Sequence, residues 1–154
     1  MRVIKGVIKN LLIYAILFGT VIFINTKILL ITYVPSESME PTIKTNQLVL
    51  NIRVYRQRIQ RYDIVVFWKN EQLLIKRVIG LPGETLNIKD NHVFIKDKQT
   101  EESFLKTPML TEDSEYKIPE KQYFVMGDNR NHSYDSRSFG TIDQEDIIAI
   151  AKLY

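Results

Sequence analysis

Pro35-Ser36-Glu37-Ser38-Met39-Glu40-Pro41-Thr42 is the stretch around which the rest of the chain is organised. It follows an apolar N-terminal segment and opens a region patterned as β-strands. Two serines two positions apart, fenced by prolines, predict a rigid extended turn. Proline fixes its own φ and biases the preceding residue toward extended geometry. A nucleophile needs such a fixed aim. The same eight residues also suit an ordinary Ser/Pro loop leaving a membrane anchor, so the rest of the chain has to decide.

Upstream, Val7 to Ile24 is apolar apart from Lys9, Asn10 and the mild Gly19-Thr20. A helix of about 18 residues spans roughly 27 Å, enough for the hydrocarbon layer of a bilayer. Lys9 lies near its end, where it can reach the headgroups. A cleaved signal peptide has a similar profile, but Asn25-Thr26-Lys27 and the residues after it offer no small-x-small cleavage site. An uncleaved transmembrane anchor over residues 7–26 is therefore expected. Arg2, Lys5 and Lys9 precede the span, which places residues 1–6 in the cytoplasm and residues 27–154 outside.

The net charge of +3 resides in that N-terminus. Without those three residues the basic side chains only equal the 18 acidic ones, which argues against a nucleic-acid partner. The chain has no cysteine and two histidines, His92 and His132, so thiol chemistry and a His-based metal centre are not expected. No metal or organic cofactor is called for.

Downstream, Ile28–Val34 reads as the strand that delivers the serines, keeping Ser38 within roughly 45 Å of the span's end. Strands are predicted over Gln47–Tyr55, Tyr62–Trp68, Gln72–Gly80, Thr85–Lys89, His92–Lys96, Gln122–Met126 and Ile147–Leu153. Asp90-Asn91 suits a two-residue hairpin turn. Thr100–Glu120, polar and carrying Pro108 and Pro119, reads as a loop. Arg53, Arg56, Arg58 and Arg61 read as a solvated basic face or as a contact with lipid headgroups. The fold class is mainly β, an antiparallel sheet domain preceded by one transmembrane helix.

Two later segments carry candidate chemistry. In Lys76-Arg77-Val78-Ile79-Gly80-Leu81-Pro82-Gly83-Glu84, strand alternation puts Lys76 between Leu74 and Val78 on one face, with Arg77 on the other. Burial there would lower the lysine pKa and yield a usable general base, whereas a lysine at a strand edge would simply reach for water. Gly127-Asp128-Asn129-Arg130-Asn131-His132-Ser133-Tyr134-Asp135-Ser136-Arg137 predicts a tightly hydrogen-bonded loop. Its spacing is not that of an EF-hand. The extended apolar segments could accept a peptide by strand addition.

Taken together, the anchor, Ser36–Thr42, Gln47–Trp68, Lys76–Glu84 and Gly127–Arg137 resemble, in the same order, the type I signal peptidases. These are membrane-bound serine peptidases that remove signal peptides, and the compact form here is similar to the Gram-positive type. The resemblance implies a signal-peptidase-like β-domain with Ser38 as nucleophile and Lys76 as general base. It implies that Ser36 contributes a hydroxyl to the oxyanion hole and that Ser133 orients the lysine. Arg77, Asp128, Asp135 and Arg137 are implied to brace the site as charge pairs, and Val34, Pro35, Met39 and Ile75 to line shallow substrate pockets. Implied partners are signal peptides of secreted preproteins, membrane lipid and the secretion translocon. Glu37 is a departure, because many members carry glycine or another small residue there.

Other readings use some of the same residues. A Ser38-His132-Asp135 triad would be a different mechanism. Self-cleaving repressors resemble the same Ser/Lys fold but lack an anchor. A non-catalytic, membrane-anchored assembly or binding factor would be expected to have lost Ser38 or Lys76, and both are present.

Overall fold

The architecture comes from a computed structural model that describes residues 2–54 and 58–152. Helix α1 (Arg2–Phe23) runs into a five-residue π-helical turn, Ile24–Ile28, before β1 (Leu29–Val34) begins. The helical segment thus extends past the span expected from sequence and takes in Ile28, where the apolar pattern predicts strand. Thr26 explains part of this, since its hydroxyl donates to the Ile22 carbonyl and satisfies a late helical acceptor. The apolar stretch Gly6–Ile28 is long enough to cross a membrane, and the strands bury none of it.

Among the described residues, eleven strands form two antiparallel sheets. β2 (Gln47–Arg53), β3 (Ile64–Lys69), β4 (Gln72–Gly80), β9 (Gln122–Met126), β10 (Ile142–Asp143) and β11 (Ile147–Ala151) join β1 in the order β1-β2-β11-β3-β4-β9-β10. β5 (Thr85–Lys89), β6 (His92–Ile95), β7 (Lys98–Gln99) and β8 (Ser114–Lys117) make the smaller sheet, in the order β7-β6-β5-β8. Three hairpins close through residue pairs that both have positive φ: Asn70-Glu71, Asp90-Asn91 and Lys96-Asp97. That backbone matches the right-handed twist of the flanking strands.

Thr100–Glu120 is not simply a loop, because it contains β8, which pairs with β5 from Thr85↔Lys117 to Ile88↔Ser114. Four alternating residues amid polar neighbours give too weak a period to be read in advance. The basic cluster also differs from expectation. Arg61 is half-buried in a bidentate pair with Glu84 at 2.6 and 2.9 Å, while Arg58 is exposed and Arg56 lies outside the described residues.

Strand alternation sends β4 side chains to different interiors. Ile75 packs with Val34, Met39, Ile43, Val49 and Val66, while Leu74 and Val78 pack with Val65, Phe67 and Val125. Leu86, Ile88, Phe124 and Met126 join the two sheets in a third cluster. β4 therefore lies between packed neighbours on both sides, and this is the strand that carries Lys76.

Candidate active site

Three chain segments converge at one point. β1 ends at Val34 and releases the serine turn; β4 supplies Lys76 and Arg77; β9 ends at Met126, opposite Arg77 in the β4–β9 register, and releases loop 127–137. The serine segment is a compact turn rather than the extended one expected. Glu40 N donates to the Glu37 carbonyl, Ile43 N donates to Met39, and Asn46 N reaches back to Val34. Met39 and Ile43, both fully buried, pull the turn inward. The Glu40 carboxylate accepts from the Thr45 hydroxyl and backbone N–H, which holds its pKa below the usual carboxylate value.

Within this frame the Lys76 amine donates to Ser38 Oγ at 2.7 Å and to its neighbour's carbonyl, Ile75 O, at 3.1 Å. Ser38 and Lys76 are both buried, and Ser36 Oγ stands 3.3 Å from Ser38 Oγ. Loss of hydration disfavours the ammonium and brings the Lys76 pKa down to about 8, against the pull of Asp135 and Asp128, which favour the charged form.

Each of those carboxylates is engaged by an arginine. Asp128 accepts from Arg77 Nε at 2.8 Å and Nη2 at 2.6 Å. Asp135 accepts from Arg137 Nε and Nη2, both at 2.9 Å, and from the Gly127 backbone N–H at 3.0 Å. The arginine charges offset the negative field that would otherwise keep Lys76 protonated.

Loop and serine turn are stitched together by Asn129, whose backbone N–H donates to Ser38 O at 3.0 Å and whose side chain donates to Glu37 O at 3.3 Å. Gly127 permits the approach. A Cβ there would collide with the Ser38 carbonyl oxygen and with Ser133 Oγ. Ser133 Oγ is itself buried and has no hydrogen-bond partner among the described residues.

His132 takes no part in this cluster. Its side chain is largely exposed, with Nδ1 3.4 Å from Glu37 Oε1, and Asp135 is fully committed to Arg137 and Gly127. The parts of a Ser-His-Asp triad are therefore not assembled. Val34, Met39 and Ile75 are buried in a shared cluster at 1, 0 and 6 % exposure, while Pro35 is exposed. A cavity of about 710 Å³ opens nearby, walled by Ser133, Arg130, Arg137, Leu110 and Tyr116, without Ser38 or Lys76 in its wall.

The family model for signal peptidase, peptidase S26, matches residues 5–154. The chain belongs to this family. Signal peptidase I V of Bacillus subtilis is 37% identical over 94% of this chain and 92% of its own length. A probable signal peptidase I-2 of Synechocystis is 38% identical over 77% of this chain, which spans only 59% of that relative. A crystal structure of a signal peptidase I from Enterococcus faecalis superposes with a TM-score of 0.56 at 34% identity, covering 61% of this chain and 97% of that one. The strand architecture is thus that of the family.

Sequence reasoning singled out Ser36, Ser38, Lys76 and the Asp/Arg pairs, and the fold brings all of them to one place. It did not single out Arg130, Glu102, Phe104, Asn129 or Gly127. For Gly127 a signal existed, since a glycine straight after a strand marks a close backbone approach.

Because its folded pKa lies below the unfolded value, Lys76 makes the unfolded chain bind more protons between about pH 8 and 10.5. Stability should rise with pH across that window, and below it the desolvation cost is fully present. Lys76→Met removes the buried charge, so at pH 7 it should be more stable than the native protein in chemical denaturation. The difference should shrink toward pH 10.5. A less stable Lys76→Met at pH 7 would contradict the burial cost.

Proposed function

We propose that this protein is a membrane-anchored serine endopeptidase that removes signal peptides from exported preproteins, with Ser38 as nucleophile and Lys76 as general base. The observation that carries the reading is the 2.7 Å contact between Lys76 Nζ and Ser38 Oγ in a pocket that lowers the lysine pKa to about 8. Near neutral pH a useful fraction of such an amine is free of its proton. The neutral amine takes the Ser38 proton as Oγ attacks the scissile carbonyl. The Ser38 backbone N–H and the Ser36 hydroxyl receive the oxyanion, each such donor being worth about 3–4 kcal/mol. The ammonium then protonates the leaving amine, and water releases the acyl group.

Ser133 is assigned to orient the Lys76 amine, a role for which its buried hydroxyl, without a partner among the described residues, is free. Arg77, Asp128, Asp135 and Arg137 brace the site. Val34, Pro35, Met39 and Ile75 are assigned to the signal-side pockets. Val34, Met39 and Ile75 share one buried cluster next to the serine turn.

Anchoring by residues 7–26 with an external 27–154 catalytic region is supported by the apolar helix and the basic residues ahead of it. The next strands add support, since exposed Ile31 and Tyr33 stand opposite exposed Leu50 and Leu48. This apolar ribbon beside the anchor brings lipid and the secretion translocon within reach.

Single-turnover cleavage of a preprotein with alanine at the first and third positions before the cut tests the chemistry. Its rate should rise as pH passes about 8. Ser38→Ala and Lys76→Arg should be inactive, His132→Ala should keep most activity, and Ser133→Ala should fall between. Cleavage by Lys76→Ala together with a dead His132→Ala would sink the Ser/Lys reading. For topology, protease added outside intact cells should cut within residues 100–120; complete protection of that segment would reverse the orientation.

A further inference from the structure

Residues 102–110 lie across the back of the loop that surrounds the proposed dyad, and their contacts are specific. Both Glu102 oxygens bind Arg130, at 2.6 Å to Nη2 and 2.9 Å to Nη1, with the Arg130 side chain fully buried. Arg130 Nε in turn donates to the Gly127 carbonyl at 3.1 Å. The Phe104 ring centre lies 4.1 Å from the Arg77 guanidinium carbon and 5.8 Å from that of Arg130. Asn131 closes the far end, donating to Pro108 O at 3.1 Å and accepting from Leu110 N at 2.8 Å. Met109, within this strap, is buried.

We propose that Glu102 and Phe104 are positioning residues for cleavage, acting through Arg130 and Arg77. The inference rests on the assignment of Ser38 and Lys76 above. The route is short on both branches. Glu102 fixes Arg130, which holds Gly127, the residue over which Ser38 O and Ser133 Oγ pass. Phe104 covers Arg77, which holds Asp128 and is the strand neighbour of Lys76. A buried guanidinium that loses its carboxylate must shift or recruit water, and the loop bound to it shifts as well. A displacement of about 1 Å at a dyad can cost on the order of a hundredfold in rate.

The test uses the full chain in detergent micelles, comparing Glu102→Gln and Phe104→Leu with Glu84→Gln. The last variant removes the partner of the similar Arg61 pair beyond the end of β4 and serves as a control for stability alone. The first two should lower kcat by about 10- to 100-fold with KM within about threefold, while Glu84→Gln keeps kcat within about threefold at a matched loss of Tm. Hydrogen exchange gives a readout independent of activity. The Asn129 amide, which is bonded to Ser38 O, should exchange faster in the first two variants, with β2 and β11 amides unchanged. Native kcat together with native Asn129 exchange in Glu102→Gln and Phe104→Leu would overturn the proposal. If Glu102→Gln fails to fold, Phe104→Leu and Glu102→Asp carry the same comparison. A native protein that cleaves nothing sinks the peptidase reading, and the exchange data still decide the positioning claim.

Discussion

Burial of the Lys76 amine against the Ser38 hydroxyl is the constraint to which the surrounding structure answers. An ammonium removed from water is costly, and a protein that merely needed stability would place methionine or leucine in the middle of β4. Leu74 and Val78 flank the lysine on its strand and Val65 lies across from it, all in one apolar cluster. The cost is reduced by shedding the proton, which is also what makes the amine a base. The same desolvation therefore destabilises the fold at neutral pH and prepares the chemistry.

Around this lysine the structure balances charge rather than excluding it. Asp128 and Asp135 alone would favour the ammonium and work against a free amine. Arg77 and Arg137 occupy their oxygens, and Arg130 is neutralised by Glu102. Paired in this way, buried charges contribute little net stability, and leaving either partner alone would be expensive. What they supply is geometry. Each guanidinium also donates to a main-chain carbonyl, of Tyr62, Gly127 or Arg130, so side-chain pairing fixes the backbone that carries the site.

The legible parts of the fold were those governed by local rules. Gln72–Gly80, Thr85–Lys89 and Gln122–Met126 are apolar stretches bounded by turn residues, and their strands start and stop there. Within the site, Lys76 was legible as a candidate for burial because it stands between Leu74 and Val78 at strand spacing, and the family resemblance singled it out as the base. Arg130 was not, since it stands between two asparagines and nothing local marks it as a core residue. Its partner Glu102 lies 28 residues away in a segment with no periodicity. His132 was an ambiguous neighbour of Ser133 for a related reason. In an irregular loop adjacent side chains diverge, and here the serine turns inward while the histidine faces solvent.

The central claim is that the fold itself lowers the affinity of Lys76 for its proton, and this can be read without any substrate. The protein is labelled with ¹³C at the lysine ε-carbon, and its resonances are followed from pH 6 to 12, with Lys76 assigned by comparison with Lys76→Met. The account gives a midpoint of about 8 for Lys76, below the ordinary lysine value of about 10.4. A Lys76 resonance with its midpoint near about 10.4 would contradict it.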